Sequence, residues 1–204
     1  MSKLVKSTLI ILMSLLLTIS FIPAKPALAA SVEPYAVTSL QSGKVYKIRN
    51  KETGKYLNVN YGTDANGTNV TQFTGDGSIE QKWKAVQNSN GTWKFYAMCS
   101  SNGTNRVLDV IRDNGSSSGN ISSGNNIDIW APNDATAQNW TLAYQNNGAF
   151  LIWLASSDYN LLMVSYGTGN GSGAGKSSTS NGNVFISDAQ YNSNRHPYWE
   201  FIEV

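Results

Sequence analysis

Residues 80–83 read EQKW and residues 137–140 read AQNW, so a glutamine two places ahead of a tryptophan returns after about 57 residues. A third tryptophan, Trp199 in PYWEF at 197–201, closes the chain, with Pro197 where the other copies have Gln81 and Gln138. Side chains two apart on a strand point the same way, so each glutamine looks inward beside Trp83 or Trp140. Burying an indole is favourable by roughly 25 cal/mol per Å² of apolar surface, whereas an unpartnered buried amide costs roughly 1–3 kcal/mol. The glutamine is therefore expected to bond backbone groups at a turn. The pattern reports architecture, and Gln81, Trp83, Trp140 and Trp199 are read as structural.

The segments leading to these tryptophans align along their length. Each opens on an aromatic alternation: VYKI around Tyr46, WKFYA around Phe95 and AFLIW around Phe150. Each then carries a Leu-x-Val, namely Leu57-Asn58-Val59, Leu108-Asp109-Val110 and Leu162-Met163-Val164. A turn rich in Gly, Asn and Ser follows, then an apolar pair at strand spacing in VTQF at 70–73, IDIW at 127–130 and VFIS at 184–187. The first and third copies share LNVNYG and LMVSYG, and the extra residues of the longer copies fall between Leu-x-Val and the apolar pair. Insertions confined to one loop are the mark of a repeated unit. Period-two alternation broken by Asn-Gly and Gly-Ser turns predicts four short strands per repeat, and no helical periodicity competes after residue 43. Twelve strands in three equivalent units predict an all-β fold with internal threefold symmetry, closed into a barrel that leaves no exposed edge.

Over residues 43–204 these motifs resemble the ricin-type β-trefoil lectins, including the standalone domains exported by bacteria, with repeats at about 43–90, 91–147 and 148–204. The resemblance implies a β-trefoil in which each repeat can carry a shallow sugar pocket. There a carboxylate accepts two charge-assisted bonds from adjacent hydroxyls, and an aromatic ring packs on the sugar's C–H face. In the second repeat it places Asp109 at the carboxylate position and Trp130 at the stacking position. Asp128 stands where the family has Gln, Asn or His, and Gln138 offers a further polar contact. Two carboxylates in one pocket repel unless separated, protonated or bridged, so Asp128 implies altered specificity or the help of a cation. The plainer reading makes Trp130 a core residue and Asp109 a turn residue. In the first repeat Asn58, Thr71 and Phe73 form a second candidate site without the charge. In the third, Met163, Phe185 and Ser187 fall at the matching places, leaving a structural lobe whose long Gly/Ser loop could still touch a ligand.

The first 29 residues read as an export signal: Lys3 and Lys6, the apolar stretch from Leu9 to Ile22, and Ala27 and Ala29 at the spacing signal peptidase reads. A membrane anchor is the alternative, but a span needs roughly 20 apolar residues, and Thr18, Ser20 and Pro23 interrupt this run. Residues 30–42 are then a linker, and the mature protein is expected to be extracellular and not inserted in a membrane. The chain has 15 basic and 13 acidic residues, and the signal carries three of the lysines, so the apparent basic surplus disappears. Without a basic cluster there is no footprint for nucleic acid. Cys99 is the sole cysteine; it is expected to be a buried, reduced thiol, with an intermolecular disulfide as the alternative. His196 is the sole histidine, which excludes a Ser-His-Asp triad and a His-rich zinc site. The stretch NGSGAGKSS at 170–178 has Asn170 where a phosphate-binding loop needs its first glycine, and reads as a plain loop. No cofactor is implied.

The expected function is sugar binding without catalysis, weak at each site. A second reading keeps the scaffold but makes it a protein-interaction, inhibitor or targeting module for a separately encoded toxin or hydrolase. A glycoside hydrolase would need two carboxyl groups across a cleft, and the repeats leave no room for a separate catalytic domain.

Overall fold

Each aromatic alternation and each Leu-x-Val lies on a strand. The computed structural model describes residues 36–113, 119–155, 161–172, 177–188 and 193–204. The export signal and residues 173–176 of the Gly/Ser loop lie outside the described residues. The first repeat contains β1 (Val45–Asn50), β2 (Tyr56–Val59), β3 (Thr68–Phe73) and β4 (Lys82–Gln87). The second contains β5 (Trp93–Ala97), β6 (Val107–Val110), β7 (Ile127–Trp130) and β8 (Trp140–Tyr144). The third contains β9 (Phe150–Leu154), β10 (Leu161–Tyr166), β11 (Val184–Asp188), β12 (Arg195–His196) and β13 (Trp199–Glu203). The two-residue β12 is an addition to the expected twelve strands. It pairs with Ser165 and Tyr166 of β10 and stops at Pro197, which has no N–H to continue a ladder.

Strands β1, β4, β5, β8, β9 and β13 pair antiparallel around a closed ring. The hairpins β2–β3, β6–β7 and β10–β11 supply the remaining pairs. They join one another through β3–β7 and through the bridges Thr71–Asn183 and Asn126–Phe185. The result is a six-stranded barrel with three equivalent hairpins, the β-trefoil implied by the repeats. Closure leaves the barrel no free edge. Inside it, the aromatic openings of the repeats meet: the rings of Tyr46, Phe95 and Phe150 lie 5.9, 5.6 and 5.3 Å from that of Phe201.

Trp83, Trp140 and Trp199 are fully buried, and each indole N–H donates across to a hairpin: to Leu57 O at 3.0 Å, Leu108 O at 3.3 Å and Met163 O at 2.9 Å. One side chain thus fills the core and pins its hairpin to the barrel. These bonds also correct the third repeat. Met163, not Leu162, is the counterpart of Leu57 and Leu108, so Val164, not Met163, sits at the carboxylate position, where it pairs with Phe185 as Asp109 pairs with Asp128.

The buried glutamines do bond a turn. Gln81 Nε2 donates to Thr74 O at 2.9 Å while its Oε1 accepts from the Asp76 N–H at 3.3 Å. Gln138 repeats both contacts, donating to Ala131 O at 3.0 Å and accepting from the Asn133 N–H at 2.8 Å. A second threefold device was not anticipated. Asn69, Asn126 and Asn183, spaced 57 apart, bond head to tail: Asn69 Nδ2 to Asn183 Oδ1 at 3.2 Å, Asn183 Nδ2 to Asn126 Oδ1 at 2.7 Å, and Asn126 Nδ2 to Asn69 Oδ1 at 2.7 Å. All three are buried, so the ring ties the hairpins together about the pseudo-threefold axis. Cys99 is only partly buried, against the edge of the core, and burial pushes its thiol up to about 11.

Candidate functional site

The three outer hairpin faces share one backbone and end up chemically different. In the second repeat, β6 and β7 place Asp109 directly opposite Asp128, and Trp130 follows on the same face of β7. A concavity of about 190 Å³ opens here, and Gly67, Asp109, Arg112, Asp128, Trp130 and Asn133 are among the residues that line it. Trp130 ends its strand with 38% of its surface exposed, while Asp109 is 9% exposed and Asp128 fully buried. The aromatic face is therefore presented to solvent beside a nearly buried carboxyl group, against the plainer reading of Trp130 as a core residue.

One wall comes from the first repeat. Gly67, at φ +81°, donates its N–H to Ile129 O at 3.0 Å, and a Cβ there would lie 3.7 Å from the Trp130 ring and 3.8 Å from the Asp128 carboxyl group. Positive φ is open to glycine without the penalty a side chain meets. The neighbouring Asn66 Oδ1 accepts from the Ala131 N–H at 2.8 Å and fixes the chain just beyond Trp130.

Burial pushes the Asp109 carboxyl group up to about 6, opposed by the Gln138 amide, the Arg112 guanidinium and a hydrogen bond with Asp128. A hydrogen bond between two carboxyl groups needs one proton between them, so the pair titrates as a unit. Arg112 stands at the rim, its Nη1 donating to Gly119 O at 2.9 Å. Gln138 requires a correction. Its side chain is fully buried and committed to the turn at Ala131–Asn133, so it orients Asp109 and the loop from beneath instead of meeting a ligand. Gly67, Arg112 and Asn133 were not singled out from the sequence. Arg112, a cation three residues after Asp109, was the signal available.

The first-repeat candidate is occupied by the protein itself. Asn58 is nearly buried and donates to Val59 O at 3.1 Å, and Thr71 is fully buried. The loop of the third repeat lies over this place: Gln72 Nε2 donates to Gly167 O at 2.8 Å and Gly169 O at 3.1 Å, and the Gly171 N–H donates to Gln72 O at 2.9 Å. A Cβ on Gly171 would collide with the Thr71 side chain. Phe73 remains half-buried beside it. Asn58, Thr71 and Phe73 therefore do not line an open sugar site, because the loop read as a possible ligand contact serves as their cover. In the third repeat, Val164, Phe185 and Leu162 form an apolar cluster, and the Arg195 guanidinium lies 5.8 Å from the Phe185 ring centre while Nη1 donates to Ser187 Oγ at 2.6 Å. That position is filled as well.

With this geometry in hand, comparison with known proteins is informative. Residues 35–121 match the ricin-type beta-trefoil lectin domain-like family. The match spans the first repeat and reaches through Asp109 into the second. No match was found among curated proteins. Among solved structures, the designed threefold-symmetric protein ThreeFoil is similar at TM-score 0.59 and 22% identity, with 78% of this chain and 99% of that chain covered. The ricin B-like lectin of Macrolepiota procera in complex with lactose is similar at TM-score 0.55 and 17% identity, covering 82% of this chain and 100% of the lectin. A mosquitocidal holotoxin is similar at TM-score 0.60 and 19% identity, with 81% of this chain covered but only 18% of the toxin. At these identities the likeness is one of fold.

Proposed function

We propose that this is an exported, non-catalytic carbohydrate-binding protein that holds a sugar in the second-repeat concavity, between the Asp109 carboxyl group and the exposed face of Trp130. The observation that carries the reading is that a carboxyl group and an open aromatic face share one concavity, while the corresponding places in the other repeats are filled. The match to a lectin-like family over residues 35–121 supports it, as does the lactose complex of a protein with the same fold. The signal-like first 29 residues support export. The absence of catalysis follows from geometry: a glycosidase's carboxyl groups flank the scissile bond about 5–9 Å apart, whereas Asp109 and Asp128 bond each other and leave no room for a bond between them.

Affinity at such a site is modest. A few hydrogen bonds netting roughly 0.5–3 kcal/mol each and about 1 kcal/mol of ring contact, less the costs of ordering, leave on the order of 4–6 kcal/mol. This corresponds to millimolar to high-micromolar dissociation, so firm attachment needs a multivalent surface. A second reading, targeting of a separately encoded toxin or hydrolase, draws on the similarity to the holotoxin and is compatible with sugar binding. A glycan array probed with the purified protein tests the proposal: a consistent set of related glycans supports it, and a blank array at high protein density rejects it.

A further inference from the structure

The pair Asp109–Asp128 is more acid than a neutral sugar requires. Holding two adjacent hydroxyls takes one carboxylate with two oxygens. Here a second carboxyl group, fully buried, stands directly across the strand pair and bonds the first. The charged groups that face Asp109 come from each element around it: Asp128 from β7 and Arg112 from the segment after β6. Its neutral partner is Gln138, from the turn beneath. Two carboxylates against one guanidinium leave one negative charge in a mostly apolar hollow. A proton shared by the pair neutralises it, and so would any small cation delivered in the same place.

Resting on the sugar-binding reading of this pocket, we infer that it selects a hexosamine whose amino group is free, the ammonium replacing the proton that Asp109 and Asp128 share. A 2-amino sugar presents –NH3+ and –OH on adjacent carbons, so the two Asp109 oxygens can accept one bond from each while Trp130 covers the ring face. The exchange balances: the pair gives up one proton to solvent and gains one ammonium, and the net charge of the pocket is unchanged. N-acetylation would abolish the charge and leave a neutral amide against two acids. The remaining carboxylate would then be buried without a counter-charge, so the acetylated sugar is disfavoured.

The test is calorimetry on the purified protein with the methyl glycosides of glucosamine and galactosamine, their N-acetyl forms, and methyl glucoside and galactoside. At pH 7.0, where the amine is mostly charged, one of the amino glycosides is expected to bind about tenfold more tightly than its hydroxyl and N-acetyl counterparts, as a charge-assisted bond exceeds a neutral one. Since the Asp109 carboxyl group titrates at about 6, at pH 5.0 the ammonium must displace the proton. The advantage should shrink toward unity there, and titrations in buffers of different ionisation enthalpy should report close to one proton released. Asp128→Asn, a near-isosteric change that removes the surplus charge, should bring the amino-to-hydroxyl affinity ratio to about one. A neutral counterpart that binds as tightly at pH 7.0, or a neutral sugar whose binding is strengthened by millimolar calcium, would overturn the hexosamine assignment and leave sugar binding standing. Silence from all six glycosides and from a glycan array would overturn both. The wild-type comparison does not depend on the variant folding.

Discussion

Breaking the asparagine ring should cost far more than its size suggests. In Asn126→Ala, the Asn126 Nδ2 bonds to Asn69 Oδ1 at 2.7 Å and to Ile127 O at 2.9 Å are lost, together with the bond its Oδ1 accepts from Asn183 Nδ2 at 2.7 Å. Asn183 Nδ2 keeps Ser177 O at 3.1 Å, but Asn69 Oδ1 is stranded at a buried position. One buried acceptor without a partner costs roughly 1–3 kcal/mol, and the weakened bonds roughly 0.5–1.5 kcal/mol more. The sum is about 2–4 kcal/mol, which for a domain of this size lowers the melting temperature by roughly 5–15 °C. Urea unfolding followed by tryptophan fluorescence measures it directly, since Trp83, Trp140 and Trp199 are all buried. Because the three side chains form one cycle, Asn69→Ala and Asn126→Ala together should cost less than the sum of the singles by at least about 0.5 kcal/mol. A single change within about 0.5 kcal/mol of wild type, or strict additivity, would refute the ring as a stabilising unit.

Three further outcomes follow from the same geometry. The folded pKa of Asp109 lies above the ordinary carboxyl value, so the folded chain holds this proton more tightly than the unfolded chain. Stability from this group is fullest below about pH 4 and is lost as pH rises through about 6; Asp109→Asn should stabilise the ligand-free protein at pH 7 by roughly 1–3 kcal/mol and flatten its dependence between pH 4 and 7. With its thiol at about 11, Cys99 carries on the order of 0.1% thiolate at pH 8, so native protein should react with a thiol reagent far more slowly than urea-unfolded protein. Gly171→Ala forces a side chain against Thr71 and against Gly182 O at 2.6 Å, and should cost roughly 1–3 kcal/mol in the thermal melt while raising amide exchange at the loop bonds to Gln72.

The threefold architecture was legible because it rests on side chains that cannot be exchanged freely. Trp83 and Trp140 need a core and a carbonyl partner at once, and Gln81 and Gln138 need a turn to hold. The asparagine ring was legible in principle, since Asn69, Asn126 and Asn183 recur at a fixed interval of 57, but lone asparagines in turn-rich sequence look like turn residues. The one-residue shift in the third repeat was not legible. LLMVSY is apolar on both faces, and Leu162 belongs to an outer apolar cluster while Met163 belongs to the core, so period-two alternation gives no signal there. The residue types around Asp109 could be read, but two facts needed three dimensions. Gln138 was spent on its turn, and a loop about 100 residues away in sequence lay over Thr71.

The central claim is that Asp109 and Trp130 hold the sugar. It is tested most directly by titrating the tightest glycan from an array into wild type, Asp109→Asn and Met163→Ala in parallel by calorimetry. Loss of a charge-assisted pair of bonds, worth roughly 1.5–3 kcal/mol, predicts a ten- to hundredfold weaker Asp109→Asn with its fold intact, and wild-type affinity for Met163→Ala, whose side chain is fully buried in the core of another repeat. Unchanged affinity in a folded Asp109→Asn would remove the second repeat from sugar recognition.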